Sequence, residues 1–142
     1  MSQESLLELI RKAGKRFSVI GEQSEEKIRE YETKLNVIFP ADYRWYLKKY
    51  GAGGVGNVDV YGIDPEGFID IIDKKELFRK IIISDKILPF LSYGEFIYCI
   101  DTEKSSKDIS SIVIFYMDEE PEYLDKNFYE VISSEFERVI EE

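Results

Sequence analysis

The stretch 50-YGAGGVGNVDVYG-62 decides how this chain is read. Gly51, Gly53 and Gly56 spell G-x-G-x-x-G, the spacing of a dinucleotide-binding turn, and Val58 extends it to a kinase-like G-x-G-x-x-G-x-V. That spacing carries chemistry in one context only. A buried strand must enter the glycines and a helix must leave them, so that the first helical N–H groups meet the pyrophosphate. Here the order is reversed. In 40-PADYRWYLKKYG-51, Tyr43, Tyr46, Leu47 and Tyr50 share one helical stripe. Pro40 opens that helix where its missing N–H is harmless, and Gly51 is expected to end it as a left-handed cap. Downstream, Val58 and Val60 alternate with Asn57, Asp59 and Tyr61, as a strand does. The glycines therefore face a helix C-terminus, whose partial negative charge repels phosphate. A kinase would also need an H-R-D histidine, and the chain has no histidine. What remains is a close-packed helix-to-strand turn, with no nucleotide and no other cofactor expected.

Upstream of this stretch the chain reads as helices. Ser5 with Glu8 resembles a capping box, Leu6, Leu9, Ile10 and Ala13 form a partial stripe, and Gly14 stops it. Ser24 caps a second helix with Glu25 and Glu26 in its first turn and Ile28, Tyr31 and Leu35 on one face. Downstream, residues 66–80 are ambiguous, with 73-DKKELFRKI-81 readable as a short helix. Three apolar runs follow: 81-III-83, 96-FIYCI-100 and 112-IVIFY-116. The last two lack polar alternation, as expected of central strands covered on both faces. The polar segment 101-DTEKSSKDISS-111 reads as the turn that joins them as neighbours. A closing helix in 127-NFYEVISSEFERVIEE-142 places Phe128, Ile132, Phe136 and Val139 on one side. Helices, then strands, then a helix describe a single α+β domain over residues 1–142.

Composition narrows the class. With 44% apolar and 34% charged residues, the chain has a normal globular balance. No run approaches the ~20 apolar residues of a membrane span. The N-terminal segment is already charged at Glu4 and Glu8, so a cytoplasmic protein without a membrane partner is expected. The net charge of −10 is uneven: residues 118–142 hold 10 acidic residues against Lys126 and Arg138. That tail disfavours nucleic acid. It suits a basic protein partner, or simple solubility.

The chemical inventory is thin. Without histidine the commonest general base and metal ligand are missing, and Cys99 lies within an apolar run that reads as core. Carboxylate chemistry could draw on Asp59 with Asp64, or on Asp118 with Glu119, Glu120 and Glu122. Yet 118-DEEPEYLD-125 lacks calcium-loop spacing and Pro121 marks an ordinary turn. No catalytic residue and no metal site are expected. Trp45 falls between Lys48 and Lys49 on the helical wheel, away from the tyrosine stripe. Either another helix covers it or it is an exposed anchor for a partner.

The string 35-LNVIFPADYRWYLKKYGAGG-54 is similar to the opening motif of the SUKH superfamily, the Smi/Knr-like domains. The strand 57-NVDVYGI-63 resembles that family's first strand, and 88-LPFLSYGEFIYCIDT-102 resembles its I-P-F … G … Y-C-hydrophobic-D segment. The likeness runs from about Ser24 to Glu137; Asn36 stands where many relatives have glycine. The resemblance implies an α+β fold with N-terminal helices, a mostly antiparallel central sheet and a C-terminal helix. It also implies a bacterial immunity protein, an antitoxin that neutralises a cognate polymorphic toxin domain, often a nuclease, by direct binding. The alternative it implies is a regulatory interaction module without a toxin, as in yeast relatives that act in cell-wall synthesis. Neither role needs an enzyme. The resemblance supplies no binding residue. Charge density alone points to Asp118, Glu119, Glu120 and Glu122, joined by Asp59 and Asp64, as the partner surface.

Overall fold

The fold begins from the element order around the glycines. In the computed structural model, which describes residues 2–142, helix α3 (Ala41–Tyr50) runs into β2 (Gly53–Val55) and β3 (Val58–Val60). The glycine segment is thus more than a turn: Gly53 and Gly54 are strand residues. Strand β2 pairs antiparallel with both β3 and β1 (Phe17–Val19). A glycine strand has no side-chain alternation, so the period-2 signal that reveals other strands is missing here. The glycines allow close approach instead. A Cβ on Gly54 would run into the Val58 carbonyl and lie 2.9 Å from the Phe136 ring. Gly51 does end α3 at positive φ (77°), but its ψ of −69° lies outside the left-handed helical basin expected of it.

The helices follow their local signals with three shifts. Helix α1 (Gln3–Ala13) starts earlier than Ser5: the Ser2 hydroxyl caps it by accepting from Ser5 N–H at 3.4 Å. Helix α2 (Glu25–Leu35) is capped by Ser24 as expected, and Asn36 ends it in the left-handed conformation (φ 55°, ψ 47°). Asn is among the few non-glycine residues that adopt this geometry cheaply. Pro40 is the residue before the first helical turn of α3 rather than within it. Helix α4 (Ile71–Leu77) is shorter and earlier than the 73–81 reading. The run 81-III-83 is no strand. Ile81 and Ile82 close a turn through their N–H groups onto the Phe78 carbonyl, at 3.0 and 2.8 Å.

Four antiparallel strands form the second sheet: β4 (Ile87–Tyr93), β5 (Phe96–Asp101), β6 (Ile112–Tyr116) and β7 (Glu122–Tyr123), in that order. Register shifts between Pro89 and Leu91 on β4, and Phe90 is the extra residue. Its carbonyl accepts instead from Tyr61 N–H at 2.7 Å, which joins the two sheets. Strands β5 and β6 are central and covered on both faces. Ile100 and Ile112 enter the main core, whereas Ile97, Cys99 and Val113 pack with Ile82 in a second cluster behind the sheet.

Helix α5 (Phe128–Ile140) covers the main face, opened by a capping box between Asn127 and Glu130. Phe128, Ile132 and Phe136 are fully buried beneath it. Two buried tyrosines of α3 lock the halves together. Tyr43 donates to the Tyr61 carbonyl and Tyr46 to the Gly53 carbonyl, each at 2.6 Å. Buried hydroxyls must find such partners, and these ones pin the helix stripe to the glycine hairpin.

Candidate functional site

Register places the site. Strand β5 starts where β6 ends, with Phe96 opposite Tyr116, and Tyr93 lies opposite Phe96 on the other side. The β4–β5 and β6–β7 turns therefore share one end of the sheet. Residues two apart on a strand share a face, so Phe96, Tyr98 and Ile100 point the same way, as do Tyr116, Ile114 and Ile112. Burial falls steadily along both rows. Ile100 and Ile112 are fully buried, Tyr98 and Tyr116 are half-buried, and Phe96 is 38% exposed. The sheet face outruns its helix cover. Tyr93 (42% exposed), Phe96 and Tyr116 form the uncovered part, with Phe96 and Tyr116 edge to face at 5.4 Å.

The acidic residues surround this end. Asp118, Glu119 and Glu120 are exposed in the β6–β7 turn, next to Met117, which is 60% exposed. Glu122 lies on β7 opposite Ile114, hence on the same face as Tyr116, whose hydroxyl donates to it at 3.0 Å. That bond pushes the Tyr116 phenol above its ordinary pKa. Several helix carboxylates are paired: Arg44 bridges Glu25 and Glu32, Lys27 meets Glu30 at 3.0 Å, and Arg138 meets Glu135 at 3.0 Å. Among the described residues no lysine or arginine pairs with Asp118, Glu119, Glu120 or Glu122.

The other residues named from charge density lie elsewhere. Asp59 is half-buried on β3; burial raises its pKa, and Lys74 opposes that rise. Asp64 is only 8% exposed, and its carboxylate accepts from Ile69 N–H at 3.4 Å. It faces its own loop rather than solvent. Trp45 meets the first turn of α5 at Tyr129 (5.6 Å between rings), with the Lys49 ammonium 5.6 Å from its indole. It is half-buried beside a cavity of about 340 Å³ shared with Glu22, Gln23 and Lys48. Arg138, from the last turns of α5, reaches the Tyr93 ring at 4.1 Å. Trp45 and the acidic end therefore sit at opposite ends of one helix.

Buried acids elsewhere are occupied with structure. Asp70 accepts from Tyr31 O–H at 2.5 Å and Asp64 N–H at 2.8 Å. Asp101 accepts from Tyr123 O–H at 2.5 Å, which anchors β7. The sequence reading missed Tyr93, Phe96 and Tyr116 as a group. The available signal was that each apolar run carries an aromatic where it meets a turn, but only the pairing register brings them together.

This α+β arrangement has relatives. A family model described as SMI1-KNR4 cell-wall, SUKH_5, matches residues 3–137. The chain belongs to the SUKH superfamily. A crystal structure of a protein from Pseudomonas syringae pv. tomato is similar at a TM-score of 0.63 and 18% identity. The match covers 87% of this chain and 90% of that one, and it shows a shared fold. This SUKH domain has no helix, among the described residues, long and apolar enough to cross a membrane.

Proposed function

We propose that this SUKH domain is an immunity protein, a non-catalytic antitoxin that acts in the cytoplasm by binding a cognate toxin domain. The toxin domain would be basic, as a nuclease must be to hold its substrate. One observation carries the reading: the four carboxylates Asp118, Glu119, Glu120 and Glu122 crowd one exposed hairpin without a cation among the described residues, whereas Glu25, Glu30, Glu32 and Glu135 on the helices each have one. Unpaired like charges on one turn repel one another, so the arrangement suits a cationic partner that supplies the missing charges. Complementary charge of this kind steers association toward ~10⁸–10⁹ M⁻¹s⁻¹ at low salt. With a screening length of about 8 Å at physiological ionic strength, only carboxylates at the interface contribute strongly.

The test is co-expression with the toxin domain encoded beside this protein, scored for growth. Rescue by the wild type, together with a complex whose affinity falls as salt rises, supports the reading. Failure to rescue, or a neighbourhood with no toxin-bearing reading frame, favours a regulatory module of the cell-wall type instead.

A further inference from the structure

Some tyrosines of this protein share one arrangement. A phenol ring lies beside a carboxylate, and a cation completes the group. Tyr31 donates to Asp70, with Lys27 and Lys34 6.0 and 5.9 Å from its ring. Tyr123 donates to Asp101, with the Lys104 ammonium 3.8 Å from its ring. Tyr61 shows the cation half alone: Lys74 lies 4.8 Å from its ring, while its hydroxyl is hydrogen-bonded with Ser92. At the uncovered end of the sheet, Arg138 stacks on Tyr93 at 4.1 Å and pairs with Glu135 at 3.0 Å. The pattern follows from physics, since a ring face and a carboxylate both attract a cation.

Tyr116 with Glu122 has the first two members only. The hydroxyl bonds the carboxylate at 3.0 Å, yet among the described residues no lysine or arginine reaches either group. Asp118, Glu119 and Glu120 add negative charge in the adjoining turn, and Phe96 stands edge to face against the Tyr116 ring. We infer that the Tyr116–Glu122 pair, with Phe96 as its wall, is a docking pocket for an arginine side chain of a basic protein partner. Arginine fits better than lysine. Its planar guanidinium can lie on a ring while its edge meets a carboxylate, as Arg138 does between Tyr93 and Glu135. A second copy of this chain is a poor occupant, because two molecules of charge −10 repel.

This inference deepens the antitoxin reading, and its test separates the two. The isotope-labelled full chain is titrated with a short peptide of alternating arginine and glycine, then with its lysine and citrulline counterparts. Shifts should centre on residues 93–96 and 114–122, arginine should bind about two- to fivefold tighter than lysine, and citrulline should not bind. Tyr116→Ser should erase the arginine preference, whereas Tyr116→Phe, which keeps the ring, should retain most of it. Thermal melts and amide dispersion verify that both variants fold.

Equal affinity for arginine and lysine, shifts spread over the acidic helices, or citrulline binding as well as arginine would each overturn the pocket. So would concentration-dependent dimerisation that buries the same residues. Growth rescue supplies the separation. If wild type and folded Tyr116→Ser protect equally against the toxin, the pocket is wrong and the antitoxin reading stands. If the peptide binds as described but wild type gives no protection, the pocket stands and the antitoxin reading falls.

Discussion

Asp42, in the first turn of α3, holds Ser110 across 68 residues of chain: its carboxylate accepts from the Ser110 hydroxyl at 2.7 Å and from its N–H at 2.9 Å. The same hydroxyl oxygen accepts from Phe128 N–H at 3.0 Å, at the start of α5. Two helix N-termini and the β5–β6 loop therefore share one buried acid. Asp42→Ala strips the Ser110 donors of their partner and should cost about 1–3 kcal/mol in urea unfolding at pH 7. Burial raises the Asp42 pKa against the opposing hydrogen bonds. With the folded pKa above the unfolded one, the folded state takes up the proton first as pH falls. Wild type thus gains stability relative to the alanine variant between neutral pH and the ordinary aspartate range. The penalty of Asp42→Ala should be larger near pH 4 than at pH 7; the opposite trend would refute this assignment.

Gly54→Ala tests the glycine segment as architecture. The added methyl would meet the Val58 carbonyl on one side and the Phe136 ring, at 2.9 Å, on the other. Backbone cannot yield as a flexible side chain does, so overpacking should cost about 1–3 kcal/mol, seen as a melting temperature several degrees lower. An unchanged melt would refute this close packing, and a wild-type melt raised by added nucleotide would restore the nucleotide reading.

How far the fold was legible follows from where side-chain information exists. The stripe Tyr43, Tyr46, Leu47 and the row Phe128, Ile132, Phe136 carry a helical period, and all six are buried as that period requires. Gly53 and Gly54 carry no side chain to alternate, and β7 is two exposed residues, Glu122 and Tyr123. Those strands exist because partners hold them, which no local pattern records. The site divides the same way. Asp118, Glu119 and Glu120 were visible as charge density; Asp64 looked equivalent, but a loop folded over it. The aromatic partners needed the pairing of Phe96 with Tyr116, a contact between distant segments.

Cys99 should be inert in the native state. Its thiol is fully buried between Ile82 and Val113, and burial drives its pKa far above the ordinary thiol value. The thiolate is the reactive form, so an aromatic disulfide reagent should modify it only as the domain opens. The labelling rate should rise with urea in step with the unfolded fraction, as opening through global unfolding requires. Rapid labelling without urea would mean that the cluster behind the sheet opens on its own.

Reversing Asp118, Glu119, Glu120 and Glu122 to lysine separates folding from binding. The four side chains are exposed, none is held by a cation in the described structure, and only Glu122 loses a hydrogen bond, an exposed one from Tyr116, so each change should move unfolding stability by about 0.5 kcal/mol or less. Glu32 offers the contrast. Its carboxylate accepts from Phe39 N–H at 2.8 Å and pairs with Arg44, so Glu32→Lys should destabilise by more than the four hairpin changes together. Toxin association should show the reverse ranking. The hairpin variant should associate more slowly and lose the salt dependence of its on-rate, while Glu32→Lys, once folded, should keep both. An on-rate and salt slope untouched by the fourfold reversal would remove the hairpin from the interface, whatever the domain binds.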